Sequence, residues 1–135
     1  MNDAGTLTVS VRIDAPPAEV FPYLVDPALM VQWIGERADL HPESGGVFAV
    51  DINRLPVRGQ FVLVEPPHRV VFTWGVDGSD ALPAGSTTVE IVLTADGQHT
   101  LVELIHRGLP PDALPRHRDG WTGYLGRLGA HLSQP

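Results

Sequence analysis

The chain has 135 residues, 43% of them hydrophobic, and a formal net charge of −7 from 16 acidic against nine basic residues. That is one domain's worth of chain, residues 1–135, with enough apolar side chains for a sizeable core. Its acidic balance argues against nucleic acid and anionic membrane surfaces as partners. Cysteine is absent and all nine basic residues are arginine, which excludes thiolate catalysis, disulfides, cysteine zinc sites and lysine Schiff bases.

Leu7 to Ile13 alternates as LTVSVRI, the pattern of a half-buried strand. Two short helices are expected next. The first opens on Asp14-Ala15-Pro16-Pro17 and uses Val20, Phe21 and Leu24 as apolar contacts, with Pro22 kinking or shortening it. The second takes Asp26 as N-cap and Pro27 as its first residue and runs to a stop at Gly35. Glu36–Leu40 reads as a short strand, and Gly45-Gly46 turns the chain into Val47–Ile52. Strands at Val57–Glu65 and Arg69–Trp74 flank a turn at Pro66-Pro67. The segment Gly75–Gly85 is long for a hairpin connection and rich in small residues, as expected of a mobile lid. Thr87–Thr94 and Thr100–Arg107 form a hairpin.

Residues 116–132 close the pattern as a helix. Trp121, Leu125, Leu128 and Leu132 recur at i, i+4, i+7 and i+11, one apolar stripe. Gly120, Gly123, Gly126 and Gly129 interrupt the same helix, each costing roughly 1 kcal/mol against alanine. Their spacing predicts an arc that something approaches closely, or beside which space is left. Strands in sequence joined by short turns imply an antiparallel sheet with the helices on one face, an α+β fold. No apolar run approaches the roughly 20 residues needed to cross a bilayer. The start, MNDAGTLTVS, lacks the basic and apolar regions of a secretory leader. A cytoplasmic setting is the expectation.

Four segments, in order, resemble one family: VRIDAPPAEVFPYLVD, DPALMVQWIG at 26–35, EPPHRVVFTWG at 65–75, and LIHRGLP with HRDGWTGYLGRL across 104–128. They are similar to the activator of heat-shock-protein-90 ATPase homologue family, within the START-like, birch-pollen-allergen-like (SRPBCC) superfamily. The resemblance implies a helix-grip fold. In it a curved antiparallel sheet of about six to seven strands wraps a long C-terminal helix around a deep apolar cavity. It does not imply one activity, because the superfamily holds lipid carriers, polyketide cyclases, antibiotic-resistance binders and co-chaperone domains.

Strand periodicity places Val70, Phe72 and Trp74 on one face, Val89, Ile91 and Leu93 on another, and Val102, Leu104 and His106 on a third. The faces lacking glutamate are expected to point inward. Glu90 and Glu103 then stand outside, opposite Arg69 or Arg107. Trp33, Phe48, Phe72, Trp74, Ile91, Leu104, His106, His117, Trp121, Tyr124 and Leu128 are the expected ligand-contacting residues. Trp74, Trp121 and Tyr124 lead this group because their polar tips seek a partner. An apolar pocket is expected between Trp33, Phe72, Trp74, Trp121 and Tyr124, with its mouth near Gly75–Gly85.

His41, His68, His99 and His131 fall in turns or near the chain end and read as solvated. His106 and His117 are candidates to face inward. Each is either a satisfied structural histidine or, with Tyr124, a general acid/base. No metal-ligand spacing, phosphate loop or Ser-His-Asp arrangement appears, so neither a metal nor a cofactor is expected. The favoured function is binding of a hydrophobic or aromatic, lipid- or polyketide-like molecule, without turnover. A polyketide-cyclase-like or hydrolase-like enzyme is the alternative. A co-chaperone-like interaction module is a third, disfavoured by the acidic charge and the lack of a basic stripe. A homodimer is left open.

Overall fold

The computed structural model describes residues 5–133; residues 1–4, at the start of the leader reading, lie outside the described residues. Seven strands form one antiparallel sheet: β1 (Leu7–Ile13), β2 (Arg37–Leu40), β3 (Val47–Ile52), β4 (Leu55–Glu65), β5 (Arg69–Trp74), β6 (Thr87–Asp96) and β7 (His99–Arg107). Their spatial order is β1-β7-β6-β5-β4-β3-β2. Every sequential pair from β2 to β7 is a neighbour, and β1 closes against β7, with Val9 opposite Leu104. A 19-residue helix, named α4 below because three single turns precede it, spans Leu114–Leu132 and buries Trp121, Leu125 and Leu128. This is the helix-grip architecture.

The N-terminal helices depart from expectation. Three single turns stand where two helices were expected: α1 (Pro17–Val20), α2 (Pro22–Val25) and α3 (Pro27–Met30). Pro22 does not kink a helix; it begins a new one, with Phe21 serving as the cap of both neighbours. Proline suits a first helical position, where no amide donor is needed. Asp26 caps α3 as expected, its carboxylate accepting from the Ala28 amide at 2.9 Å. That helix ends early, at Met30, because the Gln32 and Trp33 amides bond three residues back rather than four. Gly35 then reverses the chain with φ +80°, and a Cβ there would come within 2.6 Å of the Val50 side chain. Only glycine allows the two segments to pass so closely.

β4 starts at Leu55 rather than Val57, since Asn53-Arg54 forms a two-residue hairpin turn pairing Ile52 with Leu55. Both turn residues have positive φ, 51° and 69°, the conformation such hairpins require. The Glu36 carboxylate accepts from both of their amides, at 3.0 and 3.1 Å. The inward faces inferred from periodicity hold throughout: Val70, Phe72, Trp74, Val89, Ile91, Leu93, Val102, Leu104 and His106 are all buried. On the outer face Glu90 bonds Arg69 at 2.6 Å and Arg107 at 3.0 Å. Burial alone would raise the Glu90 carboxyl, but these two guanidinium bonds outweigh it and hold it below its ordinary range. Glu103 makes no such pair among the described residues.

An aromatic stack stands in the core. Phe48 stacks on Phe72 with ring centroids 4.0 Å apart, and Phe61 meets Phe48 edge-on at 5.7 Å. These rings, on β3, β4 and β5, form the aromatic part of the core. Aromatic pairs in these geometries add roughly 0.5–1.5 kcal/mol beyond their buried area.

Candidate functional site

A cavity of about 280 Å³ remains at one end of the molecule, beside the N-terminal half of α4. Its floor is Trp74, the last residue of β5, and Trp121 on α4, with ring centroids 4.9 Å apart. Strand period two delivers Trp74 to the inner face, and the helical stripe delivers Trp121 opposite. One lip is the β3–β4 hairpin, through Ile52, Asn53, Leu55 and Val57. The other is the β5–β6 loop, through Val76 and Leu82. On α4, Arg116, His117, Gly120 and Tyr124 complete the wall.

The β5–β6 loop carries several hydrogen bonds of its own. The Val76 amide bonds the Leu82 carbonyl at 2.8 Å, and Asp77 and Gly85 donate to Pro56 and Arg58 of β4. The Ser79 hydroxyl caps the Leu82 amide at 3.0 Å. These bonds join the loop to itself and to β4. They hold buried Leu82 over the cavity edge.

Of the expected ligand-contacting residues, Trp74, His117, Trp121 and Tyr124 line this cavity; Trp33, Phe48, Phe72, Ile91, Leu104, His106 and Leu128 do not. Phe48 and Phe72 belong to the central aromatic stack, and Ile91, Leu104 and Leu128 are fully packed core. Trp33 is turned toward α2, its indole N–H donating to the Tyr23 carbonyl at 2.9 Å. Periodicity identifies an inward face but not which inward residues meet a void. The residues missed were Arg116 on α4 and those of the lips: Ile52, Asn53, Leu55, Val57, Val76 and Leu82. The Asn53-Arg54 turn lacks the Asn-Gly signal that marks such a hairpin. The length of Gly75–Gly85 was the available signal for the other lip.

The glycines of α4 divide. Gly120 lines the cavity. Gly129 faces β1, its built Cβ 3.8 Å from Ile13 and 4.0 Å from Val11. Gly123 and Gly126 are exposed and have nothing within 4 Å. They form no continuous arc, contrary to expectation.

His106 and Trp121 belong to one hydrogen-bonded chain. The Trp121 indole N–H donates to His106 Nδ1 at 3.0 Å, so that nitrogen carries no proton. The proton sits on Nε2, which donates to Thr87 Oγ1 at 2.8 Å. The Thr87 hydroxyl in turn donates to the Trp74 carbonyl at 2.8 Å. Every polar atom of the imidazole is occupied. Burial first, then the neighbouring His117, pushes the His106 pKa down to about 3. It is a neutral structural histidine with no lone pair to offer a substrate.

His117 differs. Its Nδ1–H donates to the Ala113 carbonyl at 2.9 Å, leaving Nε2 without a protein partner among the described residues. Burial and then Arg116 lower its pKa, against the raising effect of the Ala113 bond. At neutral pH His117 presents an unprotonated, unengaged nitrogen beside the cavity. His41 and His68 are exposed, as expected. His99 and His131 are half-buried: His99 meets Asp14, and His131 packs edge-on against Tyr23 at 5.5 Å.

Among the described residues no group of three or more His, Cys, Asp or Glu side chains is placed to hold a metal, and no helix is long and apolar enough to cross a membrane. No curated protein matches the chain in sequence. Solved structures do. CalU16 from Micromonospora echinospora is 30% identical, with a TM-score of 0.76 over 95% of this chain and 76% of that one. DynU16, from the dynemicin biosynthetic locus, is 25% identical with a TM-score of 0.83; the match covers 96% of this chain but 48% of DynU16. MLL2253 from Mesorhizobium loti shares the fold, with a TM-score of 0.83 at 23% identity over 93% of this chain and 94% of that one. The family model described as "Activator of Hsp90 ATPase homolog 1-like protein" matches residues 14–133, and the chain therefore belongs to that family.

Proposed function

We propose that the protein reversibly binds a small apolar or aromatic molecule in the cavity between α4, the β3–β4 hairpin and the β5–β6 loop. The observation that carries this is the cavity itself: about 280 Å³, floored by Trp74 and Trp121 and edged by Leu55, Val57, Val76 and Leu82. Concave apolar sites with a few polar groups are where small ligands bind. Leu55, 53% exposed on one lip, gains cover when the site is filled. The similarity to DynU16, from a biosynthetic locus, supports a natural-product-like ligand. The proposal includes a cytoplasmic setting.

Titration with the neutral fluorophore N-phenyl-1-naphthylamine tests this. It should quench tryptophan emission saturably. In Gly120→Leu, whose side chain projects from a cavity-lining position, affinity should fall at least about tenfold with the far-ultraviolet circular dichroism retained; tenfold corresponds to about 1.4 kcal/mol. Absence of saturable binding to the wild type would remove the basis of the proposal. Native mass spectrometry of freshly purified protein should show a co-purified small molecule.

A second reading is enzymatic and rests on His117. With His106 locked in its hydrogen bonds, His117 is the one cavity histidine free to accept a proton, with Tyr124 on the same helix. Product detection after long incubation with the co-purified ligand separates the readings. Under the binding proposal His117→Ala changes affinity by roughly 1–3 kcal/mol, the scale of one buried hydrogen bond, and no product accumulates. Steady conversion lost in His117→Ala would establish the enzyme.

A further inference from the structure

The two inward histidines differ in what they leave open. Both nitrogens of His106 are spent, on Trp121 and Thr87. His117 spends one. Its Nδ1 lies 2.9 Å from the Ala113 carbonyl, one turn back along the chain. A carbonyl can only accept, so Nδ1 must carry a proton, and in the neutral ring Nε2 is then a bare acceptor. Burial, the largest influence on this group, disfavours the charged form. Nε2 bonds no protein atom among the described residues, yet it is not sealed in: the one buried side-chain nitrogen or oxygen there without a partner is Trp74 Nε1. The ring is half-buried and stands edge-on to two inward rings, His106 at 5.3 Å and Trp74 at 6.5 Å. Its open nitrogen therefore faces the cavity that His117 lines.

We infer that the occupant is a phenol, its hydroxyl donating to His117 Nε2 and its ring lying against Trp74 and Trp121. This rests on the binding proposal above and specifies its ligand class. Solvent can satisfy Nε2 only until an occupant displaces it, and an occupant that does not replace the lost hydrogen bond loses affinity. A bare hydrocarbon or an ether forfeits that bond. So does a carboxylate, whose oxygens only accept. A hydroxyl supplies it. A site that hydrogen-bonds a hydroxyl rejects the analogue lacking it more strongly than an apolar wall rejects a change of size. The floor selects the body. Trp74 and Trp121, with ring centroids 4.9 Å apart, offer aromatic surface to a flat ring, which favours a phenol over an aliphatic alcohol. The lips, Leu55, Val57, Val76 and Leu82, offer that ring apolar contact and no polar side chain.

Two probes of similar shape isolate the donor: 2-naphthol and its methyl ether, 2-methoxynaphthalene. Their affinities are read by displacement of N-phenyl-1-naphthylamine at pH 7.5. The naphthol should bind the wild type about fivefold more tightly than the ether, the scale of one neutral hydrogen bond. In His117→Leu, with the far-ultraviolet circular dichroism retained, that preference should vanish. In ¹⁵N spectra of the imidazole groups, the bare Nε2 resonance of His117, identified by its loss in His117→Gln, should move upfield on saturation with 2-naphthol and much less with the ether. Equal binding of the two probes, or a preference that survives His117→Leu, would overturn phenol selection while leaving the cavity a binding site. An unmoved His117 resonance in the saturated naphthol complex would overturn it from the wild type alone. If N-phenyl-1-naphthylamine binds but neither probe displaces it, this ligand class is wrong and the binding proposal stands; if none of the three binds, both fail.

Discussion

His106 shows how one side chain can look catalytic in sequence and be closed to catalysis in structure. An unfolded histidine takes up a proton as the pH falls through about 6.5, whereas folded His106 resists protonation until about 3. The unfolded state thus binds more protons across this interval, and stability rises with pH. The contribution is complete above pH 6.5 and is lost as the pH falls toward 3, on the order of 2 kcal/mol by pH 5. His117, also lowered, acts in the same direction. Urea unfolding at pH 7.5 and pH 5 should show this loss in the wild type and a smaller one in His106→Gln. Glutamine can still accept from Trp121 and donate to Thr87 but does not titrate. Strand alternation made His106 legible as inward. Its neutrality was not legible, because the partners that fix it, Thr87 and Trp121, lie 19 and 15 residues away.

Elements defined by local chemistry were readable, and those defined by close approach were not. The Asp26-Pro27 start of α3, the six longer strands and the Trp121-Leu125-Leu128 stripe all announce themselves through capping or period. The early end of α3 and the Asn53-Arg54 turn do not, because neighbouring segments impose them: the turn's amides are held by Glu36, 17 and 18 residues earlier. The helix glycines were visible but their reasons were not. Gly123 and Gly126 face solvent with room for a Cβ, so Gly123→Ala and Gly126→Ala should each stabilise by roughly 0.5–1 kcal/mol. Chemical denaturation of the double variant checks this, and its affinity for N-phenyl-1-naphthylamine should match the wild type. No contact in the structure explains why these two positions are glycine.

Across the whole molecule, binding and stability are linked by mass action. A ligand that binds only the folded state at about a hundred times its Kd adds about 2.7 kcal/mol. For a domain of this size that corresponds to a rise in Tm of roughly 8–10 °C. Differential scanning calorimetry with excess N-phenyl-1-naphthylamine should show a shift of this size in the wild type and little or none in Gly120→Leu. The fold was legible because the resemblance spans nearly the whole chain. The location of the cavity was less so: whether an inward face meets a void depends on how well Phe48, Phe61 and Phe72 fill it. They pack against one another, and the cavity lies beside Gly120 instead.

The separation of the aromatic stack from the cavity lips bears on how such a protein diverges. The lips, Asn53, Leu55, Val76 and Leu82, come from a hairpin turn with the strand end beside it and from a loop, whereas the Phe48-Phe61-Phe72 stack comes from within strands. Descendants of this chain can therefore exchange lip residues and acquire new ligands while inheriting the stack unchanged. Drift in the stack would be eliminated by misfolding before any new specificity could be tested.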